Sequence, residues 1–105
     1  MNEVLHRVDK FVVPRPHLGA FLSLLKEIHD VIGTMAGCLN NQVLEQVDGD
    51  GKFNVVTHVT WKDAESFAAA RAAIMDLHQS LGRDPVALRD AMGVQADCAV
   101  YVDRL

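Results

Sequence analysis

Two of the chain's five histidines stand where an apolar side chain would be expected. His29 falls inside a helical stripe formed by Leu18, Phe21, Leu22, Leu25, Ile28, Ile32 and Met35. His78 falls near the middle of a second stripe, made by Phe67, Ala70, Ile74, Leu77 and Leu81, and Arg71 lies at its edge two turns earlier. An imidazole exchanges protons near neutral pH, and an arginine beside it can hold the negative charge that proton removal creates. Buried among leucines, such groups are costly unless they find partners or water. A damp cavity beneath two helices would supply both. The plainer reading is a histidine satisfied inside a filled core.

A third set of polar residues lies on a strand. In Phe53–Trp61, the residues Phe53, Val55, Thr57, Val59 and Trp61 alternate with Asn54, Val56, His58 and Thr60. Alternation alone does not say which face meets the helices. With the mixed face toward them, Asn54, His58 and Thr60 join His29, His78 and Arg71; with it turned away, His58 lies in a seam against another surface. We take the first arrangement as the working expectation. His29, His58 and His78 are far apart in sequence and form no HxH, HxxxH or HExxH pattern, so no metal site is expected. No nucleophile elbow, Cys–His signature or glycine-rich phosphate loop occurs, and Asp48-Gly49-Asp50-Gly51 is a turn, too short for a calcium loop.

The elements that must position these groups follow from period and punctuation. Val4–Val13 reads as a strand with apolar residues on both faces: Leu5, Phe11 and Val13 with Arg7 and Asp9, and Val4, Val8 and Val12 with His6 and Lys10. Pro14 and Pro16 stop it and open a helix expected over Pro16–Met35, closed by Gly37. A polar strand over Leu39–Val47 turns at Asp48–Gly51 into Phe53–Trp61. Asp63 is the expected N-cap of a helix over Asp63–Leu81, with Glu65 in its first turn. Asp84-Pro85 opens a short helix ending at Gly93, and Ala96–Val102 is the last strand. The order is an α+β, ferredoxin-like βαββαβ unit with a short extra helix before the last strand, its first and third strands central. A sheet with apolar residues on both faces needs a partner on the side the helices leave bare, so a homodimer is expected.

Composition sets bounds around this. A chain of 105 residues is read as one domain over 1–105. A formal charge of −4 with scattered Lys and Arg argues against nucleic acid. No apolar run suits a membrane span and the first residues lack a signal-peptide pattern, so a cytoplasmic protein is expected. Cys38 and Cys98 are expected as reduced, buried residues rather than a disulfide.

The run FNVVTHVTWKDAESFAAAR (Phe53–Arg71) resembles the strand–Trp–helix junction of the antibiotic biosynthesis monooxygenase superfamily, the dimeric α/β barrels. The resemblance extends to VDKFVVP (Val8–Pro14), the Gly37 turn and the closing Val100-Tyr101-Val102, and so covers nearly the whole chain. It implies a homodimer with a small-molecule cavity between helices and sheet. Haem-degrading members carry an Asn on the first strand, a second Trp early in the second helix and a haem-ligating His further along it. Here the first position falls near Lys10 and Ala70 replaces the Trp, so only His78 resembles that set. Quinone-forming members use neither metal nor flavin, and likeness to them implies oxidation of an aromatic or polyketide-like substrate with no cofactor. His78 or His58 would be the base, Arg71 or Asn54 would hold the developing oxyanion, and His29 and Trp61 would line the substrate site. Trp61 also matches the fold's structural tryptophan. The competing reading is a non-catalytic dimeric barrel that binds a small molecule or serves in a stress response.

Overall fold

A computed structural model describes residues 3–105. Strand β1 (Leu5–Val12) leads through a 3-10 turn (Arg15–His17) into α1 (Leu18–Ile32). Then come β2 (Cys38–Glu45), β3 (Val55–Trp61), α2 (Ala64–Ser80), α3 (Pro85–Met92) and β4 (Gln95–Val102). The strands form one antiparallel sheet in the order β2-β3-β1-β4, with β1 and β3 central as expected. The first helix starts later and stops earlier than its apolar period suggests. Pro14 and Pro16 hold the chain in a tight turn closed by His17 N–H to the Pro14 carbonyl at 2.9 Å, so the α-helix begins only at Leu18. At the far end Gly33 is the C-cap, and Met35 lies beyond the helix while still packing into the core.

Register decides which residues meet the helices. Leu5, Arg7, Asp9 and Phe11 of β1 pair with Trp61, Val59, Thr57 and Val55 of β3, and these eight share one face. Val55, Thr57, Val59 and Trp61 are all buried, so this face lies under α1 and α2. The core beneath the helices is split into two clusters. One gathers Phe11, Phe21, Leu25, Val55 and Val94, with Phe11 and Phe21 edge-to-face at 5.0 Å between ring centres. Such aromatic pairs contribute about 0.5–1.5 kcal/mol beyond area burial. The other gathers Val59, Trp61 and Ala70 with Leu5, Ile32, Met35 and Phe67 around them. Between the clusters the sheet offers Arg7, Asp9 and Thr57 instead of hydrocarbon.

The β3–α2 junction is tight. Asp63 caps α2 by accepting from the Ser66 N–H at 2.7 Å, and that bond holds its carboxyl below the ordinary aspartate range. Gly37, at φ 85°, presses against this first turn: a Cβ there would collide with the Ser66 side chain. Its carbonyl also accepts from Lys62 N–H at 2.9 Å. Gly37→Ala is therefore expected to destabilise the fold by about 1–3 kcal/mol, from backbone strain and displacement of the α2 cap together. Urea unfolding followed by circular dichroism checks it, with Gly49→Ala, which shares the positive φ at 97° but has open space around it, as the comparison that separates the collision from the backbone strain.

Candidate functional site

A cavity of about 310 Å³ occupies the gap between the two core clusters. Its floor is Arg7, Asp9, Thr57 and Val59, and Trp61 and Phe11 close its two ends. α1 contributes Ile28 and His29, α2 contributes Arg71, Ile74 and His78, and α3 contributes Arg89. The size sits at the low end for small-molecule sites, and an apolar lining with a few convergent polar groups is the usual form of one.

Of the residues expected in a site, His29, His78, Arg71 and Trp61 line this cavity. His58 and Asn54 do not. The buried Val55–Trp61 set occupies the helix side of β3, so the alternating residues, His58 included, face the other way. There His58 Nε2 meets His6 Nδ1 at 2.9 Å, and His6 Nε2 donates to the Asp103 carboxylate at 3.1 Å. Thr60 Oγ1 lies 3.3 Å from both rings. His6 is thus half-buried in a polar chain on the open side of the sheet. Asn54 is committed elsewhere: its Oδ1 accepts from Val13 N–H at 2.8 Å and its Nδ2 donates to the Val13 carbonyl at 2.9 Å. It extends the β1–β3 ladder past the last paired residues.

Each histidine of the cavity has a distinct setting. Asn41 Nδ2 donates to the His29 carbonyl at 2.7 Å, which turns the amide oxygen toward the ring. That oxygen only accepts, so at 2.6 Å it takes the Nδ1 hydrogen of His29. The neutral ring then carries a lone pair on Nε2, which has no hydrogen-bond partner among the described residues. Gly33 makes room for this arrangement, since a Cβ there would lie 3.3 Å from Asn41 Nδ2. His78 differs: its Nδ1 is buried with no partner at all among the described residues. An orphaned ring nitrogen on a cavity wall is costly unless a ligand or water completes it.

The floor is ionic. Arg7 Nε donates to Asp9 at 2.6 Å on the same strand and face. Burial works against the Arg7 charge, but the hydrogen bond and charge of Asp9 outweigh it, with help from Cys98, and its pKa is raised. Burial, then Asp9, pushes the Cys98 thiol up, more than Arg7 draws it down. Both cysteines are free, but neither is buried as expected: Cys38 is half-buried, and Cys98 is exposed on the edge strand β4. Among the described residues no group of three or more His, Cys, Asp or Glu is placed to hold a metal ion.

Arg7, Asp9, Asn41 and Arg89 were absent from the expected site. The signal for the first two was present, since both share strand parity with Leu5 and Phe11. Asn41 shares a face with Val43, but its contact with His29 comes from folding.

A largely apolar cavity beneath two helices, floored by a four-stranded antiparallel sheet, gives the chain a ferredoxin-like α+β fold with room for a small molecule. The model of the antibiotic biosynthesis monooxygenase family matches residues 5–74, and the chain belongs to that family. No curated protein matches it significantly. A protein from Shewanella loihica PV-4, provisionally described as a monooxygenase, is similar over 100% of this chain and 99% of its own, with 21% identity and a TM-score of 0.73. A variant of SnoaB, a cofactor-independent oxygenase from Streptomyces nogalater, matches 98% of this chain and 95% of its own at 18% identity and a TM-score of 0.66. MupZ from Pseudomonas fluorescens matches 98% of this chain and 74% of its own, at 17% identity and a TM-score of 0.65. At these identities the likeness is one of fold.

Asn41→Ala is expected to release the His29 ring, so that Nδ1 and Nε2 share the proton. Nitrogen-15 NMR of the imidazole would show the single Nδ1–H form in the parent and a mixture in the variant.

Proposed function

We propose that the chain binds a small aromatic phenol in this cavity and promotes its oxidation by O₂ with no metal or flavin. The observation that carries the reading is His78, whose ring lines the cavity and whose buried Nδ1 has no partner among the described residues. A substrate hydroxyl donating to that nitrogen would satisfy it and would be ready to lose its proton. The phenolate then gives an electron to O₂. With a free ring carbon para to the hydroxyl, phenol and O₂ yield quinone and water, so no outside reductant is needed. Arg71 would hold the developing negative charge, and Trp61 would face the aromatic body. His29, its Nδ1 hydrogen fixed by Asn41, offers a second acceptor at Nε2. Because His58 faces away from the cavity, the role of base rests with His78.

For a phenol the protein oxidises, His78→Ala is expected to lower kcat by about 10²–10⁴-fold, the usual span for losing a general base. Oxygen-electrode rates check it, with His58→Ala near the parent. Equal rates in parent and His78→Ala would remove the base assignment. A ligand that raises the melting temperature but consumes no oxygen would favour the non-catalytic binder.

We also propose that the protein works as a homodimer. The open sheet face carries Val8, Val12, Val56, Leu44 and Tyr101, where a face meant for water would alternate to polar residues. The molecule is only 18 Å across its thinnest extent, a slab with one side uncovered. Light scattering is expected to give twice the 11.5 kDa chain mass, and Val56→Lys to return a monomer.

A further inference from the structure

The cations of the cavity outnumber what the proposed chemistry uses. Three arginines line it against a single carboxylate, Asp9, in a chain whose overall formal charge is −4. Arg7 is neutralised by Asp9. Arg71 is placed to hold the oxyanion. Arg89 is left over.

The neighbours of Arg89 do not account for it. Asp84 is occupied as the N-cap of α3, accepting from Val86 and Ala87 N–H at 3.1 and 3.2 Å. Glu27 pairs with Arg83 at 3.0 Å. Among the described residues no carboxylate pairs with Arg89. A cation in the last turn of a helix suits its dipole, but that needs only an exposed side chain. Arg89 is instead half-buried, sharing the cavity wall with His78 and Pro85 and bordering a smaller hollow of about 60 Å³. A guanidinium drawn from water without a counter-charge favours an anion there, and its planar donors fit a carboxylate.

We propose that the cavity is selective for a hydroxyaryl carboxylic acid, the carboxylate held by Arg89 and the aromatic body lying between Trp61 and Ile74. This rests on the cavity being the substrate site and does not depend on oxygen being consumed. The modest volume suits a compact acid of this kind better than a large polycyclic one.

The test is anaerobic calorimetry with hydroxynaphthoic acid, its methyl ester and naphthol. The acid is expected to bind the parent at least about tenfold more tightly than the ester, with affinity falling as salt rises. Arg89→Gln should remove most of that preference, Arg89→Lys should restore part of it, and Arg83→Gln should keep all of it. Should the Arg89 variants fail to fold, the acid–ester ratio and its salt dependence in the parent still decide. Equal binding of acid and ester, full preference in Arg89→Gln, or no binding of any of the three would overturn the proposal. Selective binding of the acid without oxygen uptake would sink the oxygenase reading and leave this one standing. Oxidation of naphthol with no gain from the carboxylate would do the reverse.

Discussion

The ion pair of Arg7 and Asp9 keeps this protein from having a continuous core. Both project from a central strand toward the helices, at positions flanked by Leu5 and Phe11, and their 2.6 Å bond occupies ground that hydrocarbon would otherwise fill. Removing both from water is unfavourable, and their mutual attraction offsets that only when the geometry is good and the pair stays partly solvated. Hydrocarbon clusters therefore form on either side of the pair, one around Phe11, Phe21 and Leu25, the other around Trp61 and Val59. What lies between them is the cavity. The half-buried polar groups His29, His78 and Arg89 are tolerable under the helices because that gap exists, while Arg71 is exposed at its rim.

The sheet thus has two chemically different sides. Under the helices it is apolar at the ends and ionic in the middle. On the open side Val8, Val12 and Val56 stand beside the hydrogen-bonded chain of His58, His6 and Asp103. Strand geometry forces the separation, because neighbouring residues point to opposite faces and no side chain of β3 can serve both. Four of the chain's five histidines are accordingly divided between two places that share only the backbone of β1 and β3, and His17 stands apart in the 3-10 turn.

Much of the fold was legible in the sequence, and the reason is visible in particular residues. Asp63, Asp84-Pro85 and Gly93 mark helix ends by local hydrogen-bonding rules that need no tertiary information. The helical stripes predicted that His29 and His78 would face the sheet, because helix period fixes angular position once any part of the stripe is buried. The error over His58 has an equally definite cause. β3 has one face of Val55, Thr57, Val59 and Trp61, and this more apolar face is the one that packs under the helices. Its mixed face could be placed beside the other histidines only by setting that rule aside. Asn54 was misjudged for a different reason. An asparagine at a strand's beginning can substitute for a missing backbone ladder, and here it bonds both polar groups of Val13.

The sequence by itself determined the elements, their order, the central place of β1 and β3, and the presence of imidazoles on the inner stripes of two helices. These depend on period and on capping, which act over a few residues. Only the tertiary structure decided which face of the sheet the helices cover, that Asn41 fixes the proton of His29, and that a buried nitrogen of His78 has no partner among the described residues. Those facts involve residues distant in the chain, and distances across a fold are set by packing, which no local pattern encodes.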